Sequence, residues 1–167
     1  MEFNNNLSRE ARKINRSSLA HIEKFLNVYT KLLSENHVFI LQLKVWMIEG
    51  LNRLPYENSN KEDICVKKMK LIQEVMYGMQ KFEANYSYLN GILNLELADT
   101  IVQKLYQMFG GGQSNMLKDF DPIQFSQQAQ QSVKVAEIVF KNESPRSQDH
   151  QLLMKIGELK MALSNFV

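Results

Sequence analysis

The chain has 167 residues, a net charge of +2 and 44% hydrophobic residues. Such a chain fits one ordinary domain or two small ones that share a core, and its composition excludes an intrinsically disordered protein. The small net charge gives no reason by itself to expect a nucleic-acid or membrane partner. No apolar run approaches the roughly 20 residues that a membrane span needs. Because there is a single cysteine and no apolar stretch of the secretory type near the first residues, we expect an intracellular protein, cytoplasmic or nuclear.

The first predicted element is one long helix over residues 7–54. From Ile22 onward, apolar side chains recur at intervals of three and four, and a second apolar row runs beside them at intervals of seven. Two adjacent rows make a stripe that is too wide for a single coiled-coil partner, so we expect at least two neighbouring helices. The polar stretch 34–37 interrupts the spacing without changing its phase. We therefore predict a single helix that ends before Pro55.

A second long helix is predicted to run up to the glycines at 110–112. Ser59 and Glu62 form a capping-box pattern at its start, and apolar residues keep helical spacing from Met69 onward. Joined by a short loop, the two helices form a long antiparallel helical hairpin over 1–109. Asn90-Gly91 between alternating apolar residues is also a signal for a β-hairpin at 86–97. The helical phase continues through Gly91, so we favour the helix.

The glycine-rich segment 110–115 is predicted to be a linker. It is not a phosphate-binding loop, because no strand precedes it and no lysine stands at the required place behind it. Glycine closes a helix at no side-chain cost, which suits a natural joint. Met116 follows the segment as a retained start residue would, so an engineered linker between two polypeptides is the alternative.

Residues 116–167 are predicted to form a short helical hairpin that packs on the first segment. Asp121-Pro122 supplies an N-cap residue followed by proline at the first helical position, and Ser144-Pro145 repeats that start signal. The predicted fold is therefore all-α, with the long and the short hairpin forming a partial four-helix bundle. If the linker is engineered, this segment is a fused partner peptide.

No pattern in the sequence predicts catalysis, so we expect no enzyme, no cofactor and no metal site. The spacing of His21, His37 and His150 matches no zinc motif, and Cys65 has no second cysteine to complete a ligand set. A Ser-His-Asp arrangement has no strand-turn-helix segment to carry its nucleophile. His21 and His37 are therefore interpreted as boundary residues rather than metal ligands.

The wide apolar stripes predict a non-catalytic protein-protein interaction module, an adaptor or an assembly subunit of a multiprotein complex. We expect it to bind helices of another protein by helix-helix packing, and a homo-oligomer is left open. Methionines at helical spacing are interpreted mainly as core residues, although methionine-rich surfaces also adapt to partners. The predicted partner-binding side chains are Phe39, Leu43, Trp46, Phe125, Val133, Phe140, Leu152, Ile156 and Leu159.

The alternative function is binding to a nucleic acid or another acidic surface through an N-terminal basic patch. Arg9, Arg12, Lys13 and Arg16 have the spacing of one side of a helix. Cations at a helix N-terminus face the positive end of the dipole, a small penalty that would be offset by an acidic partner. No nucleic-acid recognition motif accompanies the patch, so this function is the weaker of the two hypotheses.

Overall fold

The computed structural model describes residue 9 and residues 12–54, 61–82, 87–110, 121–142 and 147–166. Within these ranges the chain forms helices and turns without any strand, so the predicted all-α class is confirmed. None of the described helices is long and apolar enough to cross a membrane. The helices are α1 (Leu19–Tyr29), α2 (Val38–Asn52), α3 (Lys61–Met79), α4 (Tyr88–Gly110), α5 (Pro122–Asn142) and α6 (Ser147–Ser164).

The prediction of one continuous helix over 7–54 is wrong, because α1 ends at Tyr29 and α2 begins at Val38. Polar side chains between the two helices bond to the nearby backbone. The Ser34 hydroxyl accepts a hydrogen bond from the N–H of Asn36 at 3.4 Å. The Nδ1 atom of His37 accepts one from the N–H of Phe39 at 3.2 Å, which makes His37 the N-cap of α2. Such local bonds compete with continuation of the helix.

The predicted second long helix is also divided, since α3 ends at Met79 and α4 begins at Tyr88. The Ser87 hydroxyl accepts a hydrogen bond from the N–H of Asn90 at 3.2 Å, an N-cap interaction at the start of α4. Residues 88–97 are helical, so helix rather than β-hairpin is confirmed there. The predicted cap residue Ser59 lies outside the described residues.

The chain divides into two compact units, Met1–Phe82 and Glu83–Val167. In the N-terminal unit α2 packs against both α1 and α3. A salt bridge of 2.8 Å joins the Lys44 Nζ atom on α2 to Glu74 on α3. The core of this unit is made of apolar side chains from all three helices, among them the fully buried Ile22, Ile40, Leu43, Ile72 and Val75.

In the C-terminal unit α4 and α5 form the most extensive helix pair, and α6 packs against both. Tyr88 near the start of α4 contacts Phe140 near the end of α5, with ring centroids 5.5 Å apart, so the two helices are antiparallel. The Asp121 carboxylate accepts a hydrogen bond from the N–H of Ile123 at 3.0 Å. The predicted start of α5 at Asp121-Pro122 is therefore confirmed.

The predicted linker 110–115 follows directly on the end of α4 at Gly110, where the sequence predicts a helix stop. Residues 111–120 lie outside the described residues, so the natural or engineered origin of the linker stays a prediction. The helices on both sides of it belong to one compact unit. The boundary between the two units falls between Phe82 and Glu83, where the sequence predicted no boundary.

Candidate interaction surface

The side chains predicted to bind a partner lie mainly in the interiors of the two units. Phe39, Phe125 and Leu152 are half-buried. The other six are buried, namely Leu43, Trp46, Val133, Phe140, Ile156 and Leu159. The predicted side chains on α2 belong to the N-terminal unit, whereas those on α5 and α6 belong to the C-terminal unit. Because a partner would reach the six buried side chains only if a unit opened, their role in binding stays a prediction.

The predicted basic patch is exposed, but it does not form one helix face. Arg9, Arg12, Lys13 and Arg16 are all exposed, and residues 12–18 form turns ahead of α1 rather than a helix. The guanidinium of Arg16 lies over the ring of Trp46, 4.1 Å from its centroid, a cation-π contact that occupies it within the unit. The helical spacing that suggested a common face therefore does not apply, and binding of an acidic partner here stays a prediction.

The most exposed apolar side chains of α6 lie on the side of the helix that faces away from the unit. Met154 is 58% exposed and Met161 is 67% exposed, so the interpretation of these two methionines as core residues is wrong. Gly157 lies between them, three positions after Met154 and four positions before Met161. These spacings place all three on one face. Met154, Gly157 and Met161 are called the α6 outer face below.

A groove of about 750 Å³ runs between α5 and α6 beside this face. Val133 from α5 and Leu163 from α6 line its base, and both are buried. Lys134 and Lys160 line its sides together with Glu137. We call this cavity the α5–α6 groove.

The Glu137 carboxylate connects the two helices that form the α5–α6 groove. It accepts a hydrogen bond from Lys141 on its own helix and another from Lys160 on α6, each at 2.6 Å. These bonds, first that from Lys141 and then that from Lys160, lower the pKa of the Glu137 carboxyl below its ordinary value of 4.5. Lys134 forms no ion pair with any described residue. The groove therefore holds a neutralised carboxylate and an excess of cations.

A smaller groove of about 400 Å³ lies on the other side of α6, toward α4. Asp99 on α4 accepts hydrogen bonds from Lys155 at 3.0 Å and from Gln103 at 3.1 Å. Glu158 also lines this cavity. Because Lys155 balances only Asp99, the α4–α6 groove carries an excess of negative charge, opposite in sign to the α5–α6 groove.

A cluster of aromatic rings lies where α4 ends and the chain leaves α6. The ring of Phe166 lies 5.1 Å from that of Tyr106 and 5.6 Å from that of Phe109, centroid to centroid. Tyr106 and Phe109 are exposed. Large exposed rings of this kind are enriched at protein interfaces. No pattern in the sequence predicted a role for any of these three residues.

The described residues offer no arrangement for metal chemistry. In the part of the chain that the structure describes, no group of three or more His, Cys, Asp and Glu side chains is placed to hold a metal ion. His37 caps α2, and the Nδ1 atom of His21 accepts a hydrogen bond from the N–H of Asn15 at 3.0 Å. These two histidines therefore have structural hydrogen-bonding roles.

Comparisons with protein-family models, with curated proteins and with solved structures give no match to this chain.

Proposed function

We propose that the chain is a non-catalytic helical interaction module, an adaptor or a complex subunit, that binds a helix of a partner protein. The α6 outer face takes part in that contact, and the module works inside the cell. The single observation that carries the proposal is the open surface at Gly157. A Cβ atom built on Gly157 meets no atom of the described residues within 4 Å.

Glycine inside a helix lowers the stability of the helix by about 1 kcal/mol relative to alanine. A glycine at such a position therefore needs a structural explanation. At Gly78 and Gly91 the reason is close packing. A Cβ atom there would approach Leu41 to 2.6 Å and Val139 to 2.7 Å, respectively. Gly157 has no such neighbour among the described residues, which supports a neighbouring helix supplied by another chain.

The two methionines on either side of Gly157 suit such a contact. Methionine is unbranched and polarizable, so it fits the irregular surface of an incoming helix. Met154 and Met161 would also remove exposed apolar area from water when a partner covers them, at about 25 cal/mol per Å². A glycine between two flexible apolar side chains lets a second helix approach closely at the centre of the contact.

Site-specific photo-crosslinking tests the proposal. We would place p-benzoylphenylalanine at Met161 and, as a matched control, at Tyr77, an exposed position on α3. In native cells we expect a discrete crosslinked species from position 161 that position 77 does not give. Adding Gly157→Leu should remove that species, because the larger side chain blocks a close approach while favouring the helix.

The same experiment separates the other outcomes. A species of twice the chain's mass would identify a homo-oligomer as the partner. Equal crosslinking from both positions, or none from position 161, would show that the α6 outer face binds nothing. Persistence of the species in the Gly157→Leu variant would show that close approach at Gly157 has no part in the contact.

A further inference from the structure

We infer that the partner segment is an acidic amphipathic helix and that it lies along the α5–α6 groove; this inference rests on the proposed function. The groove borders the α6 outer face, because Lys160 and Met161 follow Gly157 by three and four positions on the same helix. A helix that covers Gly157 from this side therefore lies against the lysines of the groove.

The charge of the groove favours an acidic occupant. Lys134 and Lys160 line the groove together with the single carboxylate of Glu137. Lys141 also bonds to that carboxylate from the next turn of α5, which leaves two positive charges in excess. Glu137 is already bonded to Lys141 and Lys160, so it repels an incoming carboxylate less than a free one would. Lys134 keeps its ammonium group available, since it has no ion pair with a described residue and is exposed.

The apolar part of the groove favours a helix with one apolar face. Val133 and Leu163 lie at its base but are buried, so the apolar surface that an occupant can reach is mainly that of the methylene chains of Lys134 and Lys160, below their charged ends. An occupant would place apolar side chains one turn apart against these groups and carboxylates toward the ammonium ends. This is the arrangement by which an amphipathic helix binds in a groove.

The charge of the α4–α6 groove indicates on which side of α6 an acidic helix would bind. There the carboxylates of Asp99 and Glu158 face a single lysine, Lys155. An acidic helix is therefore repelled from that side and attracted to the other. Charge complementarity of this kind sets partner choice and orientation more than it sets total affinity.

A selection experiment on the full chain tests the inference with a defined probe. The probe is a phage-displayed library of helical peptides about 18 residues long, which is five turns. Leucine is fixed at positions one turn apart, and the remaining positions vary among Glu, Lys and Gln. The baits are the unchanged chain, the Lys134→Glu variant and the control Lys70→Glu. Lys70 is an exposed lysine on α3 without an ion pair to any described residue, so both variants carry the same change of charge.

We expect glutamate to be enriched in peptides selected on the unchanged chain and on Lys70→Glu, and this enrichment to disappear on Lys134→Glu. Fluorescence anisotropy with one selected peptide should show affinity weakened about five- to tenfold by Lys134→Glu. The affinity should also fall with added salt. Circular dichroism would check that each variant keeps its helical content.

The outcomes that contradict the inference differ from those that contradict the proposed function. Selected peptides without a preference for glutamate, or binding that is unchanged by Lys134→Glu, would overturn the acidic partner and leave helix binding intact. No enrichment of any helical peptide would overturn both. Binding of a duplex DNA of about 20 base pairs that depends on Lys134, without peptide binding, would identify the groove as a nucleic-acid surface instead.

Discussion

Replacing Gly91 and Gly157 by alanine should change stability in opposite directions. A Cβ atom at Gly91 would lie 2.7 Å from the Val139 Cγ1 atom, 3.0 Å from its Cβ atom and 3.1 Å from the Phe140 Cζ atom. Unstrained carbon atoms approach to about 3.5–4.0 Å. Valine has little freedom at χ1, so α4 and α5 must move apart to admit the methyl group.

The magnitude follows from two opposing terms. Overpacking a well-packed core costs about 1–3 kcal/mol, whereas alanine gains about 1 kcal/mol over glycine inside a helix. Gly91→Ala should therefore be destabilised by about 1 kcal/mol. In Gly157→Ala the added methyl group meets no atom of the described residues within 4 Å. Only the second term applies, and the variant should be stabilised by up to about 1 kcal/mol. The two variants should differ by about 2 kcal/mol.

Urea unfolding followed by circular dichroism at 222 nm measures this difference. Gly50→Ala is an intermediate control, because the nearest atom to its Cβ is the tip of Leu19, at 2.5 Å, and a leucine tip can rotate away. The reasoning is refuted if Gly91→Ala is more stable than the unchanged chain. It is refuted equally if Gly157→Ala loses as much stability as Gly91→Ala.

Three further predictions concern charged and polar side chains. The side chain of Lys44 is 8% exposed, and Glu74→Gln leaves its ammonium group without the carboxylate that pairs with it. This variant should lower the free energy of unfolding in urea by about 1–3 kcal/mol. Lys44→Met should lower it by less, and the reverse order would contradict a paired buried charge. Because the folded pKa of Glu137 is lowered, its contribution to stability should be present above the ordinary carboxyl pKa of 4.5 and lost as the pH falls through the folded pKa. The stability difference between the unchanged chain and Glu137→Gln should accordingly shrink with acidification, and a difference independent of pH would exclude this linkage. Ser126 has a buried hydroxyl without a hydrogen-bond partner among the residues that the structure describes. Ser126→Ala should therefore raise or preserve the melting temperature, and a clear fall would mean that the hydroxyl is bonded.

The helical class was predictable because the spacing of apolar residues depends only on local geometry. The start of α5 was predictable for a similar reason, since Asp121 and Pro122 act on the adjacent backbone. The apolar spacing does not reveal the helix breaks because each interval, residues 30–37 and residues 80–87, is eight residues long, within one residue of two helical turns. The apolar phase therefore continues across both intervals as if the helix did.

The side chains that cap helices mark helix starts that the apolar periodicity does not show. His37 accepts a hydrogen bond from the N–H of Phe39, and Ser87 accepts one from the N–H of Asn90. Histidine is an unusual N-cap residue, so its position in a polar stretch gave little warning. Serine, as at position 87, is a more ordinary N-cap residue. Because the apolar stripe is continuous on either side of Ser87, periodicity does not show this helix start.

The candidate site depends on long-range packing, which one sequence does not contain. Residues 147–164 carry two apolar rows, one with Leu152, Ile156 and Leu159 and the other with Met154 and Met161. Periodicity alone assigns both rows to the interior. Packing against α4 and α5 uses only one side of α6, so the methionine row remains in water. A chain that needed α6 only as the third helix of its unit would gain from polar residues on that row and from alanine at position 157. The two methionines and the glycine on that row are therefore the feature that a partner helix would explain.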